Sequence, residues 1–286
     1  MQQCLGKQAL EIVKSQRKKK KKVKPSFDRD TLNLDSRFVD IKFDNNTFDC
    51  WIKLNCIGNK INIKLPSRKH IHFFKYKGWT LKKSIRLRKG ENGYFIDLYF
   101  HKDKPILKSN GSTIGIDIGY KKLIVDSNGK KYDTGLESVY EKISRKKQGS
   151  KSFKRSLIER DNKINESINK IDFNPLKSII AEDLKNVKSK SKGKIRKKFN
   201  NKLQRWSYSK VLNMLSFRCE EQGIDLVKIN PAYTSQKCSK CGVICKSNRQ
   251  GETYKCACGL IMDADINASI NILHMGVYSP HVLSHK

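Results

Sequence analysis

Acidic side chains are scarce in this sequence. Only 27 Asp and Glu stand against 61 Lys and Arg, a net charge of +34 over 286 residues. One uncompensated positive charge for about every eight residues creates a field that draws phosphate polyanions and does not suit an ordinary cytosolic enzyme. Long apolar runs are missing too. Nothing approaches the roughly 18 to 20 consecutive apolar residues of a membrane span, and the N-terminus has no apolar stretch leading to a small-residue cleavage site. The expected location is the cytosol, with no membrane partner. Arginine is sparse beside lysine, which favours neutralising a phosphate backbone over bidentate reading of bases. Nine cysteines are an odd number, unsuited to a secreted disulfide framework, and those between Cys238 and Cys258 crowd together in a way that suggests metal.

What is present excludes a merely disordered basic tail: 37% of residues are apolar, with 12 Phe and 10 Tyr. At roughly 150 residues per domain the length predicts about two domains. Leu5, Ala9, Ile12 and Val13 fall at helical spacing, and a helix there is ended by the basic run 17–22 and by Pro25. That run reads equally as a solvated tether or as a phosphate contact. From about 26 to 108 the apolar period becomes two (Val39, Ile41, Phe43; Phe48, Cys50, Ile52, Leu54; Ile61, Ile63, Leu65; Ile85, Leu87; Tyr94, Ile96, Leu98, Phe100), which predicts five strands in a small antiparallel sheet or barrel. Asn45 and Asn46 mark a hairpin turn between the first two.

After the linker 109–112 the pattern predicts three meander strands to about 134, then a long basic helical segment marked by Ile164, Ile168 and Ile171. A short buried strand Ser178–Ala181, a helix through Leu203, Trp206, Val211, Met214 and Leu215, and a strand Ile224–Ile229 follow. This is an α/β domain with the cysteine cluster inserted near its end.

Three carboxylates stand out. In Gly115-Ile116-Asp117-Ile118-Gly119 the isoleucines share one strand face and Asp117 takes the other, between glycines that leave room for something to approach. Glu182 ends the second buried strand, where an α/β sheet delivers residues to its carboxyl edge. Asp263 and Asp265 begin a helix whose predicted packing stripe is Ile266, Ile270 and Leu273, and one of the two has a role. Oxygen ligands of this kind, in a chain that attracts phosphates, are what two Mg²⁺ ions need for phosphodiester hydrolysis. Cys238-x-x-Cys241-Gly242, followed after 14 residues by Cys256-x-Cys258-Gly259, reads as a zinc ribbon, with Cys245 a substitute ligand for the short second knuckle.

The segments 115–119, Ala181-Glu182-Asp183-Leu184, 230–242 and 263–272 together resemble, in order, the TnpB (OrfB) proteins of insertion sequences, relatives of type V CRISPR effectors. The resemblance runs from about 113 to 275. It implies a RuvC-type, RNase H-like α/β nuclease domain (111–232 and 263–286) interrupted by a zinc-ribbon insert that binds target nucleic acid (233–262). Before these come a small antiparallel β-barrel, wedge-like (26–110), and a short N-terminal helix and tether (1–25). Asp117, Glu182 and Asp265 become the catalytic, Mg²⁺-holding residues, Asp263 a cap or supporting residue, and Cys238, Cys241, Cys256 and Cys258 the structural Zn²⁺ ligands. Lys188, Lys190, Lys192, Lys194, Arg196, Lys197 and Lys198 are expected to contact phosphates.

The activity so implied is RNA-guided DNA cutting, with a transposon-encoded guide RNA and target DNA as partners, in the prokaryotic cytoplasm at the nucleoid. Relative to the family the N-terminal recognition region is expected to be short. The alternative reading is a non-cleaving RNA- or DNA-binding protein, a guided repressor or the remnant of a truncated element. A transposase that joins DNA ends with similar carboxylates fits less well, because the cysteine insert precedes the third carboxylate.

Overall fold

The computed structural model describes residues 2–278 apart from 19–22, 28–29, 46, 57, 59, 92, 134 and 185–205. The chain forms two compact units, 1–103 and 104–286. Among the described residues no helix is long and apolar enough to cross a membrane.

The first unit opens with α1 (Gln2–Lys18). Its expected apolar stripe is not buried: Cys4 alone is, while Leu5 is 51% exposed and lines an open groove with Ala9, Ile12, Phe27 and Tyr94. The reason is local. Gln8 meets β1 (Thr31–Leu34) through polar bonds to the backbone of Thr31 and Asn33, so the helix side that faces the sheet is partly hydrophilic. The strand β1 is an addition to the five expected, since four residues are too few for alternation to register. It pairs with β5 (Thr80–Gly90), which pairs with β6 (Gly93–His101); β2 (Val39–Asn45), β3 (Phe48–Asn55) and β4 (Asn62–Ser67) make a second antiparallel sheet. Asn45 pairs with Phe48, so the chain reverses where the two asparagines predicted it; Asn46 lies outside the described residues. Leu34, Phe38, Ile52 and Ile85, all about 1% exposed, form the core the strands share.

The second unit is built on a five-stranded sheet. Its strands are β7 (Ser112–Asp117), β8 (Ile124–Asp126), β9 (Lys131–Tyr132), β10 (Leu176–Glu182) and β11 (Asp225–Ile229), in the order β11-β10-β7-β8-β9. The meander β7-β8-β9 is antiparallel, whereas β10 runs parallel to both β7 and β11, as the helical crossovers between them require. The single basic helical segment expected is two helices, α2 (Leu136–Ser144) and α3 (Lys151–Asn169). Gly149 at φ 84° breaks the chain between them, and the Ser150 side chain caps α3 by accepting the Phe153 N–H. The next helix among the described residues is α4 (Tyr208–Gln222), which starts after Trp206 and includes Val211, Met214 and Leu215; Leu203, expected in the same helix, lies outside the described residues.

These three helices cover one face of the sheet, packing on Ile114, Ile116 and Ile179. Among the described residues the other face takes one helix, α5 (Ala264–Tyr278). Its approach explains Gly115: a Cβ there would strike the backbone of Ser269 and Leu273. What the glycine admits is therefore the chain's own helix. The predicted stripe of α5 shifts for the same reason. Its buried positions are Ala264, Asn267, Ala268, Ser269, Asn271 and Ile272, mostly small or polar, while Ile266, Ile270 and Leu273 are only partly buried. A helix seated on glycine leaves no space for large side chains beneath it.

Candidate functional site

The alternation of strand side chains places two of the predicted carboxylates on the α5 side. Ile114 and Ile116 face the three-helix core, so Gly115 and Asp117 face α5. On β10 the residues Ile179 and Ala181 join the same core, while Ile180 packs with Ile272 of α5, so Glu182 shares its face with Asp117. Ile180 pairs with Gly115 and Ala181 with Ile116; one step further in that register, Glu182 stands beside Asp117 at the carboxyl ends of neighbouring parallel strands. Asp265 lies in the first turn of α5, on the same side of the sheet.

The electrostatics record the convergence. Burial, and then the charges of Glu182 and Asp265, push the Asp117 carboxyl up to about 7, against the opposing pull of Arg249 and the Ile118 N–H. Burial also raises Glu182, opposed by the Thr234 hydroxyl and by Arg249. Three acidic groups thus crowd one sheet edge.

Residues distant in sequence hold Glu182 and Asp265. Thr234, 2% exposed, donates its hydroxyl to Glu182 Oε1, and the Tyr208 hydroxyl donates to the Glu182 carbonyl while accepting the Leu184 N–H. Asp265 is gripped by two cations: Arg249 Nη2 lies 2.7 Å from Oδ1, and Lys122 Nζ lies 3.5 Å from Oδ2. Lys122 also reaches Asp263 at 2.8 Å and Glu252 at 3.3 Å. Burial pulls this ammonium's pKa down, but its carboxylate partners outweigh that and leave it raised. Asp263 accepts the N–H groups of Asp265 (2.9 Å) and Ile266, and binds Lys131 at 2.7 Å as well as Lys122. It therefore caps α5. Charge pairing of this kind, between a loop near residue 122 and a helix start near 265, leaves no local trace in a sequence. The i, i+4 pair Asn267 and Asn271, in contrast, was readable as a polar stripe on a helix.

The cysteine insert is a small sheet of β12 (Arg249–Gln250), β13 (Thr253–Lys255) and β14 (Ile261–Asp263), with two knuckles at its open end. In each knuckle a glycine at positive φ, Gly242 (78°) or Gly259 (89°), donates its N–H back to the first cysteine's carbonyl. The two turns therefore close alike despite their different spacing. The Sγ atoms of Cys238, Cys241, Cys256 and Cys258 all lie within 4.8 Å of one another, with Cys238–Cys258 and Cys241–Cys256 at 3.6 Å, a cluster able to hold a metal ion. Cys245 is not among them; its thiol meets the Ser247 hydroxyl at 3.0 Å. Burial raises the Cys238 thiol, but the N–H groups of Cys241 and Lys240 and the neighbouring thiols outweigh it and bring it down to about 7.

The insert is tied to the sheet from within. Asn271 Nδ2 donates to the carbonyls of Thr234 and Lys237, at 2.9 and 2.6 Å, and Asn267 spans Lys237 and Ser239. The same insert supplies Arg249. The seven basic residues predicted between 188 and 198 lie outside the described residues.

A family model described as Cas12f1-like, TNB domain, matches residues 208–272, a span that contains Thr234, the four clustered cysteines, Arg249 and Asp265. A TnpB-like protein of Methanocaldococcus jannaschii is 30% identical over 183 residues, covering 60% of this chain and 62% of that protein. The CRISPR-associated endodeoxyribonuclease Cas12f1 of Sulfoacidibacillus thermotolerans is 42% identical over 97 residues, 33% of this chain and 21% of its own length. The chain therefore spans between a fifth and under two thirds of these relatives. A cryo-EM structure of a Cas12f1–sgRNA–target DNA complex superposes with a TM-score of 0.60 at 18% identity, covering 90% of this chain and 67% of the other, a likeness of fold.

Proposed function

We propose, from the premise that this chain belongs to the TnpB family, that it is an RNA-guided endodeoxyribonuclease whose cutting centre is Asp117, Glu182 and Asp265. One observation carries the reading: two carboxylates ending adjacent parallel strands and a third starting the helix packed on them converge on one sheet edge. In this reading the second unit is an RNase H-like domain of the RuvC type, 111–232 and 263–286, with 233–262 as its target-binding insert. The first unit, a wedge-like barrel, holds guide RNA. The basic residues between 188 and 198 contact phosphates.

The donor set fits Mg²⁺. These are hard carboxylate oxygens, and burial, followed by the charges of Glu182 and Asp265, pushes Asp117 up to about 7. Two such ions, when bound by Asp117, Glu182 and Asp265, would activate water and stabilise the leaving oxygen. The chain's own residues keep the donors aimed: Thr234 orients Glu182, while Arg249 and Lys122 hold Asp265. The four thiols fit Zn²⁺, because tetrahedral bonds of about 2.3 Å place sulfurs about 3.8 Å apart, close to the 3.6 Å of the two measured pairs. That ion would cross-link the insert and leave the chemistry to the carboxylates.

The test supplies the purified protein with Mg²⁺, guide RNA transcribed from its own element and matched DNA, beside Asp117→Ala. Cutting by the parent and none by the variant supports the proposal. Binding without cutting by either supports the second reading, a non-cleaving RNA- or DNA-binding protein. The observation that favours that reading is Asp265 already neutralised by Arg249 and Lys122.

A further inference from the structure

Tyr233 is the one non-glycine residue at positive φ among the described residues, at 65°. A side chain with a Cβ is strained there, and an aromatic one more than Asn or Gly, either of which takes the left-handed region readily. Such strain persists when something over-determines it, and it concentrates at functional sites.

The loop around it is firmly fixed. The Ala232 N–H donates to Asn230 Oδ1, and the N–H groups of Gln236 and Lys237 both donate to the Tyr233 carbonyl at 2.9 Å. The next residue is Thr234, whose hydroxyl holds Glu182 and whose carbonyl is bound by Asn271. The turn itself has a clear use, since it aims Thr234 at the carboxylate. A glycine or asparagine would serve that use without strain. Nor does burial of the tyrosine ring offset the strain, because the residue is 57% exposed.

The geometry points to a ligand for the ring. We propose that Tyr233 is a base-stacking residue for single-stranded nucleic acid, receiving the nucleotide beside the phosphate that lies over Asp117 and Glu182. The inference rests on the nuclease reading for the identity of that phosphate. The Tyr233 Cα is one residue, about 3.8 Å, from that of Thr234, whose hydroxyl holds Glu182, so the exposed ring belongs to the turn that meets this carboxylate. An exposed ring on a rigid turn loses little freedom on stacking, and every base offers a face, so the contact would fix the strand's position without reading its sequence.

The experiment measures binding of fluorescein-labelled dT12 and of an abasic strand of equal length to the full chain without divalent metal. The parent is compared with Tyr233→Phe, Tyr233→Asn and Tyr233→Gly. The abasic strand keeps the phosphates and removes the bases, so the ratio of the two dissociation constants isolates stacking from charge. The proposal expects Asn and Gly to cut the parent's preference for dT12 about fivefold or more, Phe to keep it, and thermal midpoints for Asn and Gly at or above the parent's, because both relieve the strain. Replacing one thymine with 5-iodouracil and irradiating is expected to cross-link the peptide that contains Tyr233.

An unchanged ratio in Tyr233→Asn, no cross-link at that peptide, or a marked loss of stability in Tyr233→Gly would each overturn the proposal. Failure of the two readings is separable. Loss of the dT12 preference in Tyr233→Asn, beside a parent that has the preference but cuts no DNA, removes the nuclease and keeps the stacking residue. Guided cutting with a Tyr233→Asn variant that binds as the parent does removes the stacking residue alone.

Discussion

Arg249, from the cysteine insert, lies 2.7 Å from Asp265, on the helix that packs against the sheet carrying Asp117 and Glu182. Burial raises the pKa of both Asp117 and Glu182, and the same guanidinium opposes that rise. One cation thus supports three carboxylates, and it reaches them only because the insert folds.

Replacing Arg249 with Met keeps much of the side chain's length and removes the charge. Cutting is expected to fall at least tenfold, with a higher Mg²⁺ requirement and a pH midpoint displaced upward. Binding of guide RNA should be unchanged. Mg²⁺ titrations of the cleavage rate at several pH values test this.

Thr234→Val preserves shape and removes the hydroxyl that Glu182 accepts from. Leaving a mostly buried carboxylate short of a donor costs about 1 to 3 kcal/mol. Denaturant unfolding should show that loss, and the cleavage rate should drop more than tenfold. Thr234→Ser, which restores a donor, should recover most of both.

The raised carboxyl of Asp117 predicts a direction for stability against pH. A group bound to its proton more tightly in the folded chain makes the folded state take up more protons between about 4 and about 7. Its contribution is therefore present at low pH and lost as the pH rises through that window. In metal-free protein the thermal midpoint should fall across it, and Asp117→Asn should flatten the fall. Mg²⁺ should raise the midpoint more at pH 8 than at pH 5, because protons and metal compete for the same oxygens.

The thiol cluster predicts one metal ion per chain, held by Cys258 and not by Cys245. Cys258→Ser should lose the ion, measured by elemental analysis, and weaken the fold; Cys245→Ser should keep it. Acid should release the metal as the thiols take up protons.

Gly115 shows how much of the site was legible in the sequence. The motif around it marked a strand, gave Asp117 the opposite face from the isoleucines and reserved space at the glycine. The occupant of that space, α5, follows only once β7 and the helix are packed. Gly115→Ala is accordingly expected to destabilise the second unit by about 3 kcal/mol or more, since backbone rather than a flexible side chain meets the added methyl. The ends of strands and the cysteine knuckles were readable because they depend on local alternation and spacing. Arg249, Lys122 and Thr234 were not, because each acts on a residue distant in sequence and sits among many other basic or polar side chains. Leu5 and Ala9 marked a helix correctly, and their face is exposed, since periodicity reports a face and not what covers it.

The most direct test of the central claim is anomalous diffraction from crystals grown with Mn²⁺ in place of Mg²⁺. Two peaks are expected beside the carboxylates of Asp117, Glu182 and Asp265, both absent in Asp117→Ala. Peaks elsewhere with none at these three side chains, in a well-ordered crystal at neutral pH, would contradict it.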